Sequence, residues 1–148
     1  MIARVTISSN KGKAAIVLPR QQVVDAVIEA HHRWNSGDRE GWIAMWHPDA
    51  VIDDPVGAPT KYGLSAVEKS WEAGFSQEPW FVVPGEIHVC GNAAAFTASH
   101  LSILGGHRVL MTDIEIWELA DDGRFIRVQA YYEPLPGTPD YFLPTSAP

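Results

Sequence analysis

Residues 49–57 read DAVIDDPVG, a short apolar run that ends at a carboxylate and must then turn. Pro55 fixes its own φ angle and restricts Asp54 to the extended region, while Gly57 permits a turn that other residues resist. The stretch therefore predicts a strand that holds the Asp54 carboxylate rigidly at its end. On spacing alone, a turn-forming aspartate that binds backbone amides explains Asp54 better than a catalytic one does.

Two helices are predicted before this stretch. Residues 20–36 carry apolar side chains at the i, i+3, i+4, i+7 spacing of an amphipathic helix, which ends at the sequence NSG, residues 35–37. Asp38 is a suitable N-cap for a second, short helix that passes through Trp46 and stops at Pro48. The buried stripe of the first helix is predicted to comprise Val23, Val24, Val27, Ile28, Ala30, His31 and Trp34.

The remainder of the chain predicts a third helix followed by a sheet. Ser65 and Glu68 have the spacing of a capping box, so a helix is expected to start there. Four extended segments then follow, separated by glycine-containing turns, and they cover residues 81–90, 93–104, 107–119 and 124–132. Helices first and a long meander afterwards predict a single α+β domain, in which helices cover one face of a curved antiparallel or mixed sheet.

This domain is predicted to span residues 20–133. Residues 1–19 alternate weakly around a turn-like segment and predict a hairpin or a loosely attached arm. Residues 134–148 form a proline-rich tail that is expected to be extended or disordered.

The composition excludes several classes of function. No apolar run approaches the roughly 20 residues of a membrane helix, and the first residues lack the apolar stretch of a signal peptide, so we expect a cytoplasmic protein without a membrane partner. The net charge of −7 disfavours binding to nucleic acid. No histidine and carboxylate spacing indicates a metal, no glycine motif indicates a nucleotide, and the single cysteine, Cys90, is expected to be buried. We therefore expect neither metal nor cofactor.

Two motifs, NSGD at residues 35–38 and AVIDDPVG at residues 50–57, together with the order of elements, resemble the ketosteroid isomerase-like branch of the nuclear-transport-factor-2-like (SnoaL-like) superfamily. The resemblance covers residues 20–133. It implies a cone of three N-terminal helices over a bent sheet, an apolar pocket inside the cone, and a homodimer formed through the outer face of the sheet.

The resemblance also implies roles for individual residues. The aspartate before Pro-Val-Gly is the general base in the isomerases and corresponds to Asp54. A second, protonated aspartate donates a hydrogen bond to the enolate oxygen and corresponds to Asp113. The third participant in the family is a tyrosine on the first helix, and here that position is Ala30. A further pocket tyrosine of the family falls on Trp71.

Other residues are candidates from their own positions. Strand alternation over residues 109–117 would place Asp113 and Glu115 on one face, whereas a bulge would turn Glu115 into water. His31 follows the missing tyrosine and is a candidate donor or acid–base group, and His100 is expected to face the cavity from the neighbouring strand; each has a hydrogen-bonded core histidine as its alternative. The aromatic residues expected at the cavity wall are Trp34, Trp46, Trp71, Trp117 and Tyr132.

Two functions follow as alternatives. In the first, the cone binds a small, mostly apolar carbonyl compound, such as a steroid or polyketide, and Asp54, Asp113 and His31 catalyse its isomerisation without a cofactor. Cyclisation, dehydration and epoxide opening are related possibilities by analogy of fold. In the second, the chain is a non-catalytic module that binds a hydrophobic ligand or dimerises. An open volume faced by both Asp54 and Asp113 favours the first.

Overall fold

The computed structural model describes residues 16–76 and 80–143. Its helices are α1 (Arg20–Ser36), α2 (Arg39–Ala44) and α3 (Gly63–Gly74), and a 3₁₀ turn covers Asp140–Phe142. Its strands are β1 (Trp46–Asp53), β2 (Lys61–Tyr62), β3 (Phe81–Pro84), β4 (His88–Cys90), β5 (Ala93–Leu104), β6 (His107–Leu119) and β7 (Phe125–Tyr131). Within these ranges, none of the helices is long and apolar enough to cross a bilayer. The predicted arm at 1–19 lies outside the described residues, apart from 16–19.

The strands form one mixed sheet in the order β2-β1-β7-β6-β5-β3, and β4 pairs with β5 beside β3. Strand β1 runs parallel to β7, and the other neighbours are antiparallel. The long β5–β6 hairpin turns at Gly105 and Gly106, whose φ angles of 57° and 80° favour glycine. The prediction of an α+β domain with a mixed sheet is confirmed.

The helices bury one face of this sheet. Helix α1 packs against β3, β4 and β5, and α3 packs against β1. On α1 the fully buried residues are Val23, Val27 and Ala30, with His31 nearly so, whereas Ile28 is half exposed. The predicted buried stripe therefore lies on the correct face of α1, but it wrongly includes Ile28. The core lies between these helices and the inner face of the sheet.

Some predicted boundaries are wrong. Helix α2 begins with Asp38 as its N-cap, as expected, but ends at Ala44, so Trp46 and Pro48 belong to β1. The register of β1 against β7 shifts between Trp46 and Val51, and such an irregularity tolerates a proline. Helix α3 starts at Gly63, with no side-chain cap, instead of at the predicted capping box.

Cys90 is exposed and not buried as predicted. The reason is the position of β4, a three-residue strand whose end residues point away from the core. Its sulfur therefore plays no part in packing.

The described part of the tail also differs from its prediction. Phe142 is buried against Trp80, and the Tyr141 hydroxyl donates a hydrogen bond of 2.8 Å to the carbonyl oxygen of Ala66 on α3. These aromatic side chains supply apolar contacts that a proline-rich composition does not reveal, so this segment packs on the domain instead of extending away from it.

Candidate active site

A cavity opens between the helices and the inner face of the sheet. It offers about 100 Å³ to the centres of water-sized molecules, several times the 10–15 Å³ that one buried water needs. Most of its wall is apolar, and its apolar lining residues include Trp34, Trp42, Trp46, Val82, Trp117 and Phe142. Seven polar or ionisable residues also line it: His31, Asp54, Ser70, His100, Asp113, Glu115 and Tyr132. A mostly apolar wall with a few convergent polar groups is typical of a small-molecule site.

Asp54 lines this cavity directly after β1, which β7 separates from β6 in the sheet, and we call the β1 and β6 sides of the cavity its two ends. Tyr132, directly after β7, donates a hydrogen bond of 2.6 Å from its hydroxyl to Asp54 Oδ1. The parallel pairing of Asp53 with Gln129 and a 2.8 Å hydrogen bond from Val56 N to the carbonyl oxygen of Ala130 hold the two strand ends together. Burial raises the pKa of Asp54, and the Tyr132 hydrogen bond opposes that rise.

At the other end, Asp113 and Glu115 project inward from β6, and we call their side chains the carboxyl pair. The β5–β6 register is continuous, so the alternation that puts both residues on the inner face is not interrupted by a bulge. His100 on β5 faces both residues: its Nε2 lies 3.1 Å from Asp113 Oδ2 and 3.3 Å from Glu115 Oε1. Trp117 donates its indole N–H to Glu115 Oε2.

The electrostatics of this second end are those of a crowded buried cluster. Burial raises the pKa of Glu115 to about 7, and the neighbouring Asp113 adds to the rise while His100 opposes it. Burial would lower the pKa of His100, but its contacts with the carboxyl pair outweigh burial and raise it to about 10. The carboxyl pair and the histidine thus compete for protons near neutral pH.

His100, Asp113 and Glu115 each offer one ligand atom, and these atoms lie within 4.8 Å of one another, as metal ligands do. A metal-binding imidazole donates its second N–H to an acceptor. Here the Trp80 indole N–H donates to His100 Nδ1 at 3.0 Å, so Nδ1 is an acceptor and the neutral ring carries its hydrogen on Nε2. That arrangement places a hydrogen where a cation would bind and therefore does not fit a resident metal.

His31 has a different environment. Its Nδ1 lies 2.7 Å from the carbonyl oxygen of Val27, which can only accept, so Nδ1 carries the hydrogen. Burial lowers the pKa of His31 to about 4, and the ring is therefore neutral at pH 7 with Nε2 as an acceptor. This does not fit the predicted role of a substitute hydrogen-bond donor. A role as an acid–base group stays a prediction.

The remaining predicted residues divide into two groups. Trp34, Trp46, Trp117 and Tyr132 line the cavity, and so does Ala30, at the position of the missing tyrosine. Trp71 does not line it: the ring stacks on Phe75 and packs edge-on against Trp34, so it belongs to the core behind the wall. The prediction that Trp71 lies at the cavity wall is therefore wrong.

Sequence reasoning missed Trp80 and Phe142. Both line the cavity, and their rings contact each other. Neither belongs to a periodic element: Trp80 directly precedes β3, and Phe142 lies in the 3₁₀ turn. The one available signal was their aromatic character, which does not distinguish a wall residue from a core residue.

Comparison with known proteins gives a family and several similar folds. A family model described as SnoaL-like domain matches residues 27–128. An epoxide hydrolase/cyclase-like enzyme, SalBIII, described in pyran ring formation in the polyether salinomycin, superposes with a TM-score of 0.72 at 19% identity over 76% of this chain and 92% of its own.

Two further structures are described with steroids. Rv0760c from Mycobacterium tuberculosis, in complex with estradiol-17β-hemisuccinate, has a TM-score of 0.67 at 20% identity over 76% of this chain and 94% of its own. A computationally designed 17-OHP binder has a TM-score of 0.67 at 20% identity over 76% of this chain and 91% of its own. At these identities the likeness concerns the fold.

Proposed function

Because the chain belongs to the SnoaL-like domain family, we propose that it is an acid–base enzyme that acts, without a cofactor, on a small and mostly apolar carbonyl compound. The reaction is an enolisation or isomerisation inside the cavity. The substrate is of steroid or polyketide type. A wall rich in tryptophan recognises an extended apolar body, and the few polar groups in the wall fix the orientation of the substrate.

One observation supports this proposal above the others. Asp54 and the carboxyl pair line the same cavity, and burial raises the pKa of both Asp54 and Glu115. Burying several carboxyl groups costs free energy that a passive hydrophobic pocket would not need to spend. Perturbed carboxyl groups in one cleft are typical of acid–base catalysis.

The proposed reaction uses the two ends of the cavity in turn. Asp54 removes a proton from the carbon next to the substrate carbonyl, while the carboxyl pair donates a hydrogen bond or proton to the developing enolate oxygen. Asp54 then returns its proton to a different carbon, and the donor recovers its own. Ala30 supplies no hydroxyl, so the carboxyl pair provides the oxyanion stabilisation that the family shares with a tyrosine.

A second candidate is epoxide opening with ring closure. The same groups could protonate an epoxide oxygen at one end and remove the proton of an attacking hydroxyl at the other. Its support is the structural likeness to an epoxide hydrolase/cyclase-like enzyme. Non-catalytic binding is the third alternative, and its support is the likeness to a designed 17-OHP binder.

The test compares the wild type, Asp54→Asn and Asp53→Asn on an unconjugated enone of steroid size in deuterated buffer. Asp53 is a matched control because its carboxylate accepts from Thr60 at 2.6 Å and is absent from the cavity wall. We expect Asp54→Asn to lower deuterium incorporation by about 10²–10⁴-fold and Asp53→Asn to retain it. Equal incorporation in wild type and Asp54→Asn would reject Asp54 as the base, and binding of the enone without turnover would favour a binder.

The outer face of the sheet supports a homodimer. Exposed apolar side chains lie together there across neighbouring strands: Phe81, Leu101, Leu110, Ile114 and Tyr131. A second copy of the chain would cover them. Sedimentation velocity should show a dimer that Leu110→Lys weakens, whereas Glu118→Lys, at the far end of the same strand face, should leave it intact. A monomeric wild type would reject this part of the proposal.

A further inference from the structure

The two members of the carboxyl pair are not equally accessible. The Asp113 side chain is 0% exposed, and within the described residues neither of its oxygens has an aligned hydrogen-bond partner. Glu115 is 7% exposed and His100 is 12% exposed. Both side chains line the cavity, and Glu115 is the one with exposed surface that a ligand oxygen reaches without rearrangement.

The hydrogen bond from Trp80 restricts where the cluster keeps its protons. An indole N–H can only donate, so His100 Nδ1 must accept, and the ring is then neutral with its hydrogen on Nε2. His100 Nε2 lies 3.1 Å from Asp113 Oδ2 and 3.3 Å from Glu115 Oε1, but among the described residues its hydrogen is aligned with neither oxygen. A second proton at Nδ1 would place two N–H donors against each other across 3.0 Å.

Two arrangements of the cluster contain the same number of protons. In one, His100 is an imidazolium and both carboxyl groups are ionised. In the other, His100 is neutral and one carboxyl group holds the proton. The negative charges of the carboxyl pair favour the first, and the Trp80 N–H disfavours it. The carboxylates act on Nε2 without an aligned hydrogen bond, whereas the Trp80 N–H is aligned with Nδ1 at 3.0 Å. The two forms differ only in the position of one proton, so this aligned donor decides between them.

We infer that Glu115, and not Asp113, is the proton donor of the cavity, and that Trp80 is a positioning residue which, through His100, keeps that proton on Glu115. The donor role rests on the proposed function, whereas the position of the proton in the free protein does not.

The contacts of Glu115 agree with a donor. Oε2 accepts from the Trp117 indole, so Oε1 carries the hydroxyl. When Oε1 gives its proton to a substrate oxygen, the resulting carboxylate is stabilised by the Trp117 N–H on Oε2, and His100 Nε2 lies 3.3 Å from Oε1. The proton returns to Glu115 when the substrate oxygen becomes a carbonyl again, so the cycle is balanced. The other ionisable groups that face this cluster are His31 from α1, Asp54 after β1 and Tyr132 after β7.

The first test needs no substrate and is made in the Asp54→Asn variant, because burial also raises the pKa of Asp54. Infrared spectra of the full chain at pH 6, made by cell-free synthesis with ¹³C in the side-chain carboxyl of either glutamate or aspartate, report the C=O stretch of any protonated carboxyl group. We expect one buried band that shifts with labelled glutamate and stays in place with labelled aspartate. A band that shifts with aspartate, or the absence of a protonated band, would overturn the inference.

The second test removes the indole N–H with Trp80→Phe. Trp46→Phe is its matched control, because Trp46 also lines the cavity but its Nε1 has no hydrogen-bond partner among the described residues. In ¹⁵N NMR spectra, we expect the His100 ring to have one protonated and one unprotonated nitrogen in the wild type and in Trp46→Phe. In Trp80→Phe, both ring nitrogens should be protonated. The glutamate band should be lost in Trp80→Phe alone.

Activity adds a third readout. On any substrate that the wild type turns over, Trp80→Phe should lower kcat by about 10-fold to 100-fold at neutral pH with little change in KM, since the donor is lost but the apolar wall remains. A neutral His100 in Trp80→Phe, or two protonated His100 nitrogens in Trp46→Phe as well, would overturn the role of Trp80. If the wild type shows no turnover, the proposed function fails while the spectra still decide where the proton lies.

Discussion

The two ends of the cavity hold the same chemical group in different surroundings. At one end, Asp54 is a single carboxyl group that accepts a hydrogen bond from the Tyr132 hydroxyl. At the other, Asp113 and Glu115 are neighbouring carboxyl groups, and His100 Nε2 lies 3.1 Å from the first and 3.3 Å from the second. A hydroxyl donor stabilises the ionised form of a carboxyl group, whereas a neighbouring carboxylate stabilises the protonated form. These surroundings favour the first end as the base and the second as the acid in the proposed reaction.

In comparing the two ends, we expect the largest loss of kcat from substitutions in the carboxyl pair. Glu115→Gln should lower kcat by about 10²–10³-fold, because it removes the acidic proton from the group that reaches the substrate. Asp113→Asn should cost less, since Asp113 acts through His100 and has no exposed surface. Steady-state kinetics on a substrate of the wild type measures both. A greater loss in Asp113→Asn than in Glu115→Gln would reverse the assignment.

A smaller effect concerns the stability of the protein as a function of pH. The two histidines of the cavity, like its carboxyl groups, lie in different surroundings. Burial lowers the pKa of His31 from 6.5 to about 4, so between these values the unfolded chain binds a proton that the folded one does not. Stability should therefore fall as the pH drops from 6.5 to 4, by up to about 3 kcal/mol from this group. Glu115, whose pKa is raised from 4.5 to about 7, contributes with the opposite sign between these values.

Comparison with His31→Gln isolates the contribution of His31. In urea unfolding at several pH values, the difference in unfolding free energy between wild type and His31→Gln should change across pH 4–6.5. For His32→Gln, at the exposed neighbouring position, the unfolding free energy should change with pH as it does in the wild type. A pH-independent difference for His31→Gln would show that this ring is not held neutral.

Sequence patterns were sufficient to predict the position of a side chain where a single helix or strand determines that position. The extended residue before a proline placed Asp54 at a strand end, and alternation along β6 placed Asp113 and Glu115 on one face. The helical spacing of α1 placed His31 in the core. Each of these depends on residues that are adjacent in sequence, so pattern and resemblance sufficed for the α+β fold and for both ends of the cavity.

Sequence rules failed where two elements meet. Trp71 has the right spacing on α3 but is separated from the cavity by Trp34, and no pattern along α3 contains that information. Trp80 contacts His100 across two strands, through the pairing of Val82 with His100. The donor role predicted for His31 failed because its hydrogen bond to Val27 fixes the tautomer. These outcomes depend on tertiary contacts and hydrogen positions that a single sequence does not encode locally.

The pH dependence of kcat/KM in two variants tests most directly whether the ends of the cavity have separate roles. Tyr132→Phe removes the donor to Asp54, which raises its pKa further, so only the acid limb should move, to higher pH. Trp80→Phe removes the N–H that opposes a proton on His100, so only the alkaline limb should move, to higher pH, with a lower plateau. Movement of the same limb in both variants, or an unmoved acid limb in Tyr132→Phe, would contradict a base at Asp54 and an acid at Glu115.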